Sequence, residues 1–250
     1  MTSQVLDIVH KDRRYISISP DGVRNYAFQL GAKIASDVDN FRPTLLLALW
    51  RGGAQVGVYI QEYLKRVGID VDHVCIRTSS YTSPGEQNST ILVHTLRYVA
   101  EEVQKSDNLL IVDDIFDSGR SLQAVIDKLR SKVGEKNMPT IRIATMFWKP
   151  EKNKTSLKPD YCIQSDGISD AWVVLPHEVS DFQDAEDIKV LFGQEVHDAL
   201  YPPIMTNSAE LSIDFRKKLA DWDIAHAEQL KAVRAEPSLI QSSSGIKIPE

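Results

Sequence analysis

Cysteines, long apolar runs and a secretory leader are all scarce or missing from this sequence. Only Cys75 and Cys162 occur among 250 residues, which argues against a disulfide framework and favours a reducing compartment. The longest apolar run, residues 45–50, is too short to span a bilayer. The N-terminal residues lack the apolar segment of a signal peptide. We therefore expect a cytoplasmic protein with no membrane partner.

An excess of basic residues is also missing. Lys and Arg number 29 against 35 Asp and Glu, so the net charge is -6. Surfaces that bind nucleic acid carry basic stripes, and we therefore expect no nucleic-acid partner. The sequence has neither the GxGxxG turn of dinucleotide-binding folds nor the phosphate loop of nucleoside triphosphatases. Dehydrogenase and ATPase functions lose their main support.

The sequence does contain apolar strands that alternate with amphipathic helices. Residues 45–49 form a continuous apolar run, typical of a strand covered on both faces, and a helix follows a Gly-Gly turn. The same order recurs at residues 109–113 and the helix that opens at Gly119. Other segments predicted as strands are 71–76, 141–147, 161–164 and 172–175, and a further helix is predicted to begin at Ser19-Pro20. This order predicts an α/β fold with a mostly parallel central sheet flanked by helices.

Two segments depart from that alternation. Residues 78–90 are dense in Ser, Thr, Pro, Gly and Asn, which predicts a long mobile loop. Residues 208–234 carry an apolar stripe at helical spacing, which predicts an amphipathic helix that packs on the core or across a homo-oligomer interface. We expect a core with a small hood in residues 1–182, a helical extension in 183–236 and a flexible tail in 237–250.

The segment 109–122 carries the most chemical information. Asp113 and Asp114 follow its apolar run, and ligands of parallel sheets bind at the carboxyl ends of the strands. This pair suits sugar hydroxyls or Mg²⁺, which prefers one or two carboxylates together with ligand oxygens. Residues 118–121 then place two serine hydroxyls and a glycine at a helix start, which favours a phosphate. The alternative is an ordinary strand-to-helix loop with Asp117 as a cap, but fourteen residues agree with the functional interpretation.

This segment resembles the phosphoribosyl pyrophosphate motif of type I phosphoribosyltransferases. That motif has four apolar residues, two acids, two apolar residues, an acid or Ala, and Thr-Gly-x-Thr. Ser118 and Ser121 stand where Thr is usual, and either hydroxyl can serve a phosphate oxygen. The resemblance covers residues 10–182. It implies Mg²⁺ as cofactor, a homodimer or homotetramer, and a phosphoribosyl pyrophosphate site that includes Asp113, Asp114, Asp117, Ser118, Gly119, Arg120 and Ser121.

Position 117 narrows the implied substrate. In this family it is commonly Ala in adenine and orotate enzymes and Asp in hypoxanthine, guanine and xanthine enzymes. Asp117 therefore implies a 6-oxopurine base and a role in purine salvage, with its carboxylate managing the N7 proton.

The resemblance extends to the pyrophosphate loop and to the lid. Residues Trp50, Arg51, Gly52 and Gly53 are similar to the pyrophosphate loop, in which we expect an uncommon peptide conformation before Arg51, with cis as one option. Ser80 and Tyr81 resemble the Ser-Tyr pair of the lid. Arg51, Ser80, Tyr81 and Asp117 are thereby implied as catalytic residues.

The base and metal sites are implied in the same way. Lys149 resembles the lysine that donates to O6 of the purine. Trp172 and Val173 resemble the pair whose ring stacks on the base and whose backbone reads its edge. Ile115 is the remaining purine-binding candidate, and Glu178 joins Asp113 and Asp114 as a candidate metal ligand.

Two alternatives stay open. The chain could be a regulator that binds the phosphoribosyl group without catalysis and uses its C-terminal helices for a partner. It could also act on another base, because Val174 stands where bacterial xanthine–guanine enzymes carry a carboxylate. The preference among hypoxanthine, guanine and xanthine is open as well. We expect all six histidines to be structural or surface residues: His10, His73, His94, His177, His197 and His226.

Overall fold

The computed structural model describes residues 5–81, 90–94 and 96–201. A first compact unit extends to Gly193, and a second begins at Gln194. The first unit thus continues past residue 182, where the sequence places the end of the core. The predicted helix 208–234 and tail 237–250 lie outside the described residues.

The described residues form these elements in chain order. The strands are β1 (Val5–His10), β2 (Arg13–Ile18), β3 (Leu45–Trp50), β4 (Asp72–Tyr81), β5 (Thr90–His94), β6 (Asn108–Phe116), β7 (Thr140–Trp148), β8 (Tyr161–Gln164) and β9 (Trp172–Val174). The helices are α1 (Pro20–Ser36), α2 (Gly52–Arg66), α3 (Arg97–Glu102), α4 (Arg120–Val133), α5 (Ala185–Phe192) and α6 (Gln194–Leu200). No helix in this part of the chain is long and apolar enough to cross a membrane.

The central sheet has the strand order β5-β4-β3-β6-β7-β8. All neighbouring pairs are parallel except β4 with β5, which is antiparallel at one edge. Alternate residues of β3 enter opposite clusters: Leu46 and Ala48 pack with α1 and α2, whereas Leu47 packs with α3 and α4. Both faces of the sheet are therefore covered, and the predicted mostly parallel α/β fold is confirmed.

The first helix begins where the sequence predicts it. The Ser19 hydroxyl accepts a hydrogen bond from the backbone N–H of Gly22 at 3.1 Å, and Pro20 is the first helical residue. The predicted core face is fully buried, and it consists of Val23, Ala27, Leu30 and Ile34.

A second, three-stranded sheet has the order β1-β2-β9, and we call it the hood. β1 and β2 form a hairpin whose turn residues Lys11 and Asp12 have φ values of 48° and 59°. β2 then pairs in parallel with β9, with Tyr15 opposite Trp172. Helix α5 packs on this sheet, where the Ser17 hydroxyl donates to the Leu191 carbonyl at 2.6 Å. Neither strand of the hairpin was predicted from the sequence.

The prediction of a loop over residues 78–90 is wrong at both ends of that range. β4 continues to Tyr81, and β5 begins at Thr90 and pairs with Tyr81. Pairing with β5 supplies the backbone hydrogen bonds that the polar side chains were expected to provide. The residues between, 82–89, lie outside the described part of the chain.

Candidate functional site

Three cavities adjoin one another at the carboxyl ends of β3 and β6. The arginine cavity, about 500 Å³, is lined by Trp50, Arg51, Gly52, Arg77, Thr78, Asp113, Asp114, His177 and Glu178. The tryptophan cavity, about 360 Å³, is lined by Arg13, Asp114, Ile115, Asp117, Lys149, Lys152, Asp170, Ala171, Trp172, Val173 and Glu178. The serine cavity, about 80 Å³, is lined by residues 113, 115–119, 121 and 122. Each pair of cavities shares wall residues, so the three lie side by side.

The paired acids lie between the cavities. They belong to β6, which continues to Phe116 and is longer than the predicted strand. An Asp113 carboxylate oxygen accepts from the Asp114 backbone N–H at 3.1 Å, and Asp114 accepts from the Ile115 N–H at 2.7 Å. Burial, together with the neighbouring charge of Asp114, raises the pKa of Asp113 well above its usual range.

The glycine loop packs directly against these acids. A Cβ on Gly52 would lie 1.6 Å from Asp114 Oδ2, and one on Gly53 would lie 2.4 Å from the Val112 carbonyl oxygen. Only glycine permits this approach. The Trp50–Arg51 peptide bond is cis, which confirms the uncommon conformation expected there. The Arg51 guanidinium donates to Ser180 Oγ at 2.9 Å and to Asp181 Oδ2 at 2.6 Å.

His177 is a site residue that the sequence did not reveal. Its Nε2 lies 3.4 Å from Asp114 Oδ2, and its Nδ1 lies 3.1 Å from Gln55 Oε1. Ligand atoms of Asp114, His177 and Glu178 all lie within 4.8 Å of one another. Burial is the main reason that the pKa of Glu178 is raised. The sequence predicted only a structural or surface histidine here, and its position beside Glu178 was its one hint of the cavity.

The loop before α4 forms the serine cavity. Gly119 has a φ of +74°, in the left-handed region that favours glycine, and a Cβ there would lie 2.6 Å from Thr155 Oγ1. The backbone N–H of Lys154 donates to the Ser118 carbonyl at 3.0 Å. Residues 154 and 155 therefore brace this loop, a contact for which the sequence gives no signal.

Lys149 lies in the wall of the tryptophan cavity and is only 4% exposed. Its Nζ donates to the Ala171 carbonyl at 2.8 Å and lies 4.0 Å from Asp117 Oδ2. Burial, followed by the nearby charge of Lys152, lowers the pKa of Lys149. A strand-end lysine would ordinarily be exposed, so this burial distinguishes Lys149 from a surface residue.

The other predicted residues are distributed as follows. Trp172 is partly exposed in the tryptophan cavity, and Val173 and Ile115 line the same cavity. Val174 instead is buried with Tyr15 and Leu191. Ser80 and Tyr81 end β4, and their side chains lie outside what the structure describes. Arg77 and Thr78 of the same strand line the arginine cavity and were not predicted.

Comparison with known proteins gives the same family as the motifs. Residues 21–180 match the family described as phosphoribosyl transferase domain. The chain is 25% identical over 153 residues to a hypoxanthine-guanine phosphoribosyltransferase of Staphylococcus epidermidis, covering 61% of this chain and 79% of that protein. The Streptococcus pneumoniae enzyme of the same name is 25% identical over 154 residues, covering 62% and 79%.

A solved structure shares the fold. It is a Neisseria gonorrhoeae protein with bound ppGpp, with a TM-score of 0.55 and 18% identity over 73% of this chain and 97% of that one. This likeness confirms the fold implied by the sequence resemblance, and the family match and the named relatives confirm the enzyme class. Because the family match spans more than half of the sequence, the chain belongs to the phosphoribosyl transferase domain family.

Proposed function

We propose that this protein transfers the 5-phosphoribosyl group from phosphoribosyl pyrophosphate to a 6-oxopurine and releases pyrophosphate, as in purine salvage. One observation carries the proposal: buried Lys149 lies 4.0 Å from Asp117 in the wall of the tryptophan cavity. An ammonium and a carboxylate at that separation suit the two adjacent groups of a 6-oxopurine edge, the O6 acceptor and the N7 proton. The names of the curated relatives support the same substrate class.

Each of the three cavities suits one part of the two substrates. The serine cavity is lined by Ser118, Gly119 and Ser121, and Arg120 stands among them as the first residue of α4. This loop and helix start suit the 5′-phosphate. Asp113 and Asp114 suit the ribose hydroxyls. The arginine cavity suits pyrophosphate, and the tryptophan cavity suits the base, with Trp172 as its stacking surface.

The donor set also fits Mg²⁺. Asp113, Asp114 and Glu178 present carboxylates to the arginine cavity, and Mg²⁺ is bound by one or two carboxylates with the remaining positions taken by water and phosphate oxygens. These residues would hold the ion, which supplies neutralising charge to the departing pyrophosphate.

The proposed reaction is a displacement at the anomeric carbon of the ribose. The bond from that carbon to the pyrophosphate oxygen breaks, and the bond to the purine nitrogen forms. Arg51 and the N–H groups of the glycine loop stabilise the negative charge that leaves. Asp117 takes up the proton that the base loses. Ser80 and Tyr81 complete the catalytic set as the lid pair at the end of β4.

A pyrophosphate-release screen tests this proposal. Hypoxanthine, guanine and xanthine are compared with adenine and orotate, with Mg²⁺ and with excess EDTA. We expect release with at least one 6-oxopurine and its loss in EDTA. Turnover of orotate or adenine alone would assign another base. Binding of phosphoribosyl pyrophosphate without turnover of any base would instead support the regulator. Light scattering of the intact protein tests the proposed homodimer or homotetramer.

A further inference from the structure

His177 and Glu178 both line the arginine cavity, in a short turn that follows β9. The Glu178 backbone N–H donates to the Leu175 carbonyl at 3.0 Å, and the Leu175 N–H donates to Glu178 Oε2 at 2.9 Å. These two hydrogen bonds close the turn and fix the Glu178 carboxylate. Asp114 of β6 lies beside this turn, and one ligand atom from each of the three side chains lies within 4.8 Å of the other two.

The contact of His177 with Gln55 determines which ring nitrogen is available to a ligand. Gln55 Oε1 lies 3.1 Å from His177 Nδ1, and an amide oxygen only accepts, so Nδ1 carries the hydrogen. In the neutral imidazole Nε2 is then left with a lone pair. Nε2 lies 3.4 Å from Asp114 Oδ2, which is also an acceptor. Two acceptors that face each other repel, and a cation bound between them removes the repulsion.

The distance between these two acceptors suits a metal ion. Zinc binds histidine nitrogen at about 2.0–2.1 Å and carboxylate oxygen at about 2.0–2.2 Å in tetrahedral geometry, so two such ligands lie about 3.4 Å apart. His177 Nε2 and Asp114 Oδ2 are separated by 3.4 Å. A histidine that binds a metal donates its other N–H to an outer partner, which fixes the ring. Gln55 is that partner here.

The carboxylates of this group also lack a basic partner. Among the residues that the structure describes, no Lys or Arg forms an ion pair with Asp114 or Glu178. Arg51, which lines the same cavity, pairs with Asp181 instead. Two carboxylates therefore face the cavity without a basic side chain to neutralise them, and a divalent cation would supply that charge.

The imidazole decides which cation fits best. Mg²⁺ prefers oxygen ligands, whereas imidazole nitrogen suits ions such as Zn²⁺, Ni²⁺ and Cu²⁺. We propose that Asp114, His177 and Glu178 bind a divalent transition-metal ion, with His177 as the ligand that gives this ion preference over Mg²⁺. Three protein ligands leave a further position for water or a phosphate oxygen. The ion shares Asp114 and Glu178 with the Mg²⁺ of the proposed function, but its binding needs no substrate and does not depend on enzymatic activity.

Zinc binding by the full-length protein, freed of metal by chelation, tests this inference. Calorimetric titration in excess Mg²⁺ should show a single tight Zn²⁺ site, and X-ray absorption at the zinc edge should show the outer-shell scattering of an imidazole. His177→Asn keeps a donor toward Gln55 and removes Nε2. Loss of an outer partner alone costs about 10–100-fold in metal affinity, so loss of the ligand itself should cost more than about 100-fold and abolish the imidazole scattering. Gln55→Leu removes the outer partner and should cost about 10–100-fold.

His10→Asn is the matched control. His10 Nε2 also lies beside a carboxylate, 2.8 Å from Asp187 Oδ1, but His10 lines none of the three cavities and belongs to no three-ligand group of the described residues. This variant should change Zn²⁺ affinity by less than about 3-fold. Parental Zn²⁺ affinity in His177→Asn, an equal loss in both histidine variants, or a zinc spectrum without imidazole overturns the inference. If His177→Asn fails to fold, Gln55→Leu and the parental spectrum decide.

Pyrophosphate release with Mg²⁺ separates this inference from the proposed function. A parent that turns over a 6-oxopurine but binds no Zn²⁺ in excess Mg²⁺ keeps its proposed function and overturns the inference. A parent that binds Zn²⁺ through His177 but turns over no base supports the inference and overturns the proposed activity.

Discussion

Replacement of Lys149 by methionine tests the assignment of the base site. The lysine stem is buried, and its Nζ donates to the Ala171 carbonyl at 2.8 Å beside Asp117. Methionine keeps a stem of similar length and removes the charge and all three donors. If Nζ also donates to O6 of the base, the variant loses a hydrogen bond from a charged group, which contributes about 1.5–3 kcal/mol. We expect kcat/KM for the best 6-oxopurine to fall about 10- to 150-fold.

The stability of this variant should change much less than its activity. The Ala171 carbonyl loses its donor, which destabilises the fold by about 1–3 kcal/mol if the carbonyl stays dry. Burial lowers the pKa of Lys149, so the folded protein holds that charge unfavourably, and removing it offsets part of the loss. A net change near 1 kcal/mol corresponds to about 2–4 °C in Tm for a chain of this size.

The assay is steady-state pyrophosphate release together with thermal melting. Lys33→Met is the matched control, because exposed Lys33 also donates to a backbone carbonyl, that of Cys162 at 2.7 Å, and lines none of the cavities. It should keep the parental kcat/KM. Parental activity in Lys149→Met would refute the assignment of O6 recognition, and an equal loss in both lysine variants would show a general effect on the fold.

Two further substitutions probe the paired acids. Gly52→Ala should abolish measurable turnover and weaken phosphoribosyl pyrophosphate binding in calorimetry, because its Cβ would overlap Asp114; unchanged binding would contradict the packing. The pKa of Asp113 is raised on folding, so its protonation stabilises the protein below its unfolded pKa, and this stability is lost as pH rises through its folded pKa. The melting temperature of Asp113→Asn minus that of the parent should therefore be larger at pH 8 than at pH 4. An equal difference at the two pH values would contradict this.

The central fold could be predicted because each buried strand has a distinct apolar pattern. The continuous run 45–49 became β3, residues 161–164 became β8 without a shift, and the α4 face of Leu122, Val125, Ile126 and Leu129 is buried as predicted. A strand covered on both faces and a helix covered on one leave different periodicities. Each pattern lies within a short stretch of chain, so the strands and helices can be predicted from the sequence alone.

The hood and its residues could not be predicted in this way. The apolar positions of the β1–β2 hairpin are interrupted by His10, by the turn residues Lys11 and Asp12 and by two arginines. The partner strand of β2, β9, lies about 150 residues further along the chain. The position of Trp172 opposite Tyr15 follows from that long-range pairing. The residue types of the hairpin alone predict nothing more than surface charge.

Asp117 decides between an enzyme and a binding protein, and its replacement by asparagine is the last prediction. Its side chain is half exposed and 4.0 Å from Lys149 Nζ. Asparagine keeps the volume and removes the acid–base group. General acid–base groups contribute about 10²–10⁴-fold, so kcat should fall within that range.

Affinity for phosphoribosyl pyrophosphate should change little in this variant, because we assign the 5′-phosphate to Ser118, Ser121 and the start of α4. The melting temperature should stay close to that of the parent, since an exposed carboxylate contributes little to stability. Asp127→Asn on α4, the helix that follows the Asp117 loop, is the control, because exposed Asp127 pairs with Gln123 and Arg130 and lines none of the three cavities. If Asp117→Asn keeps the parental kcat, Asp117 is only a residue of the loop and takes no part in proton transfer. Loss of binding together with kcat would instead mean that the carboxylate holds the ribose phosphate, so the comparison of the two measurements assigns its role.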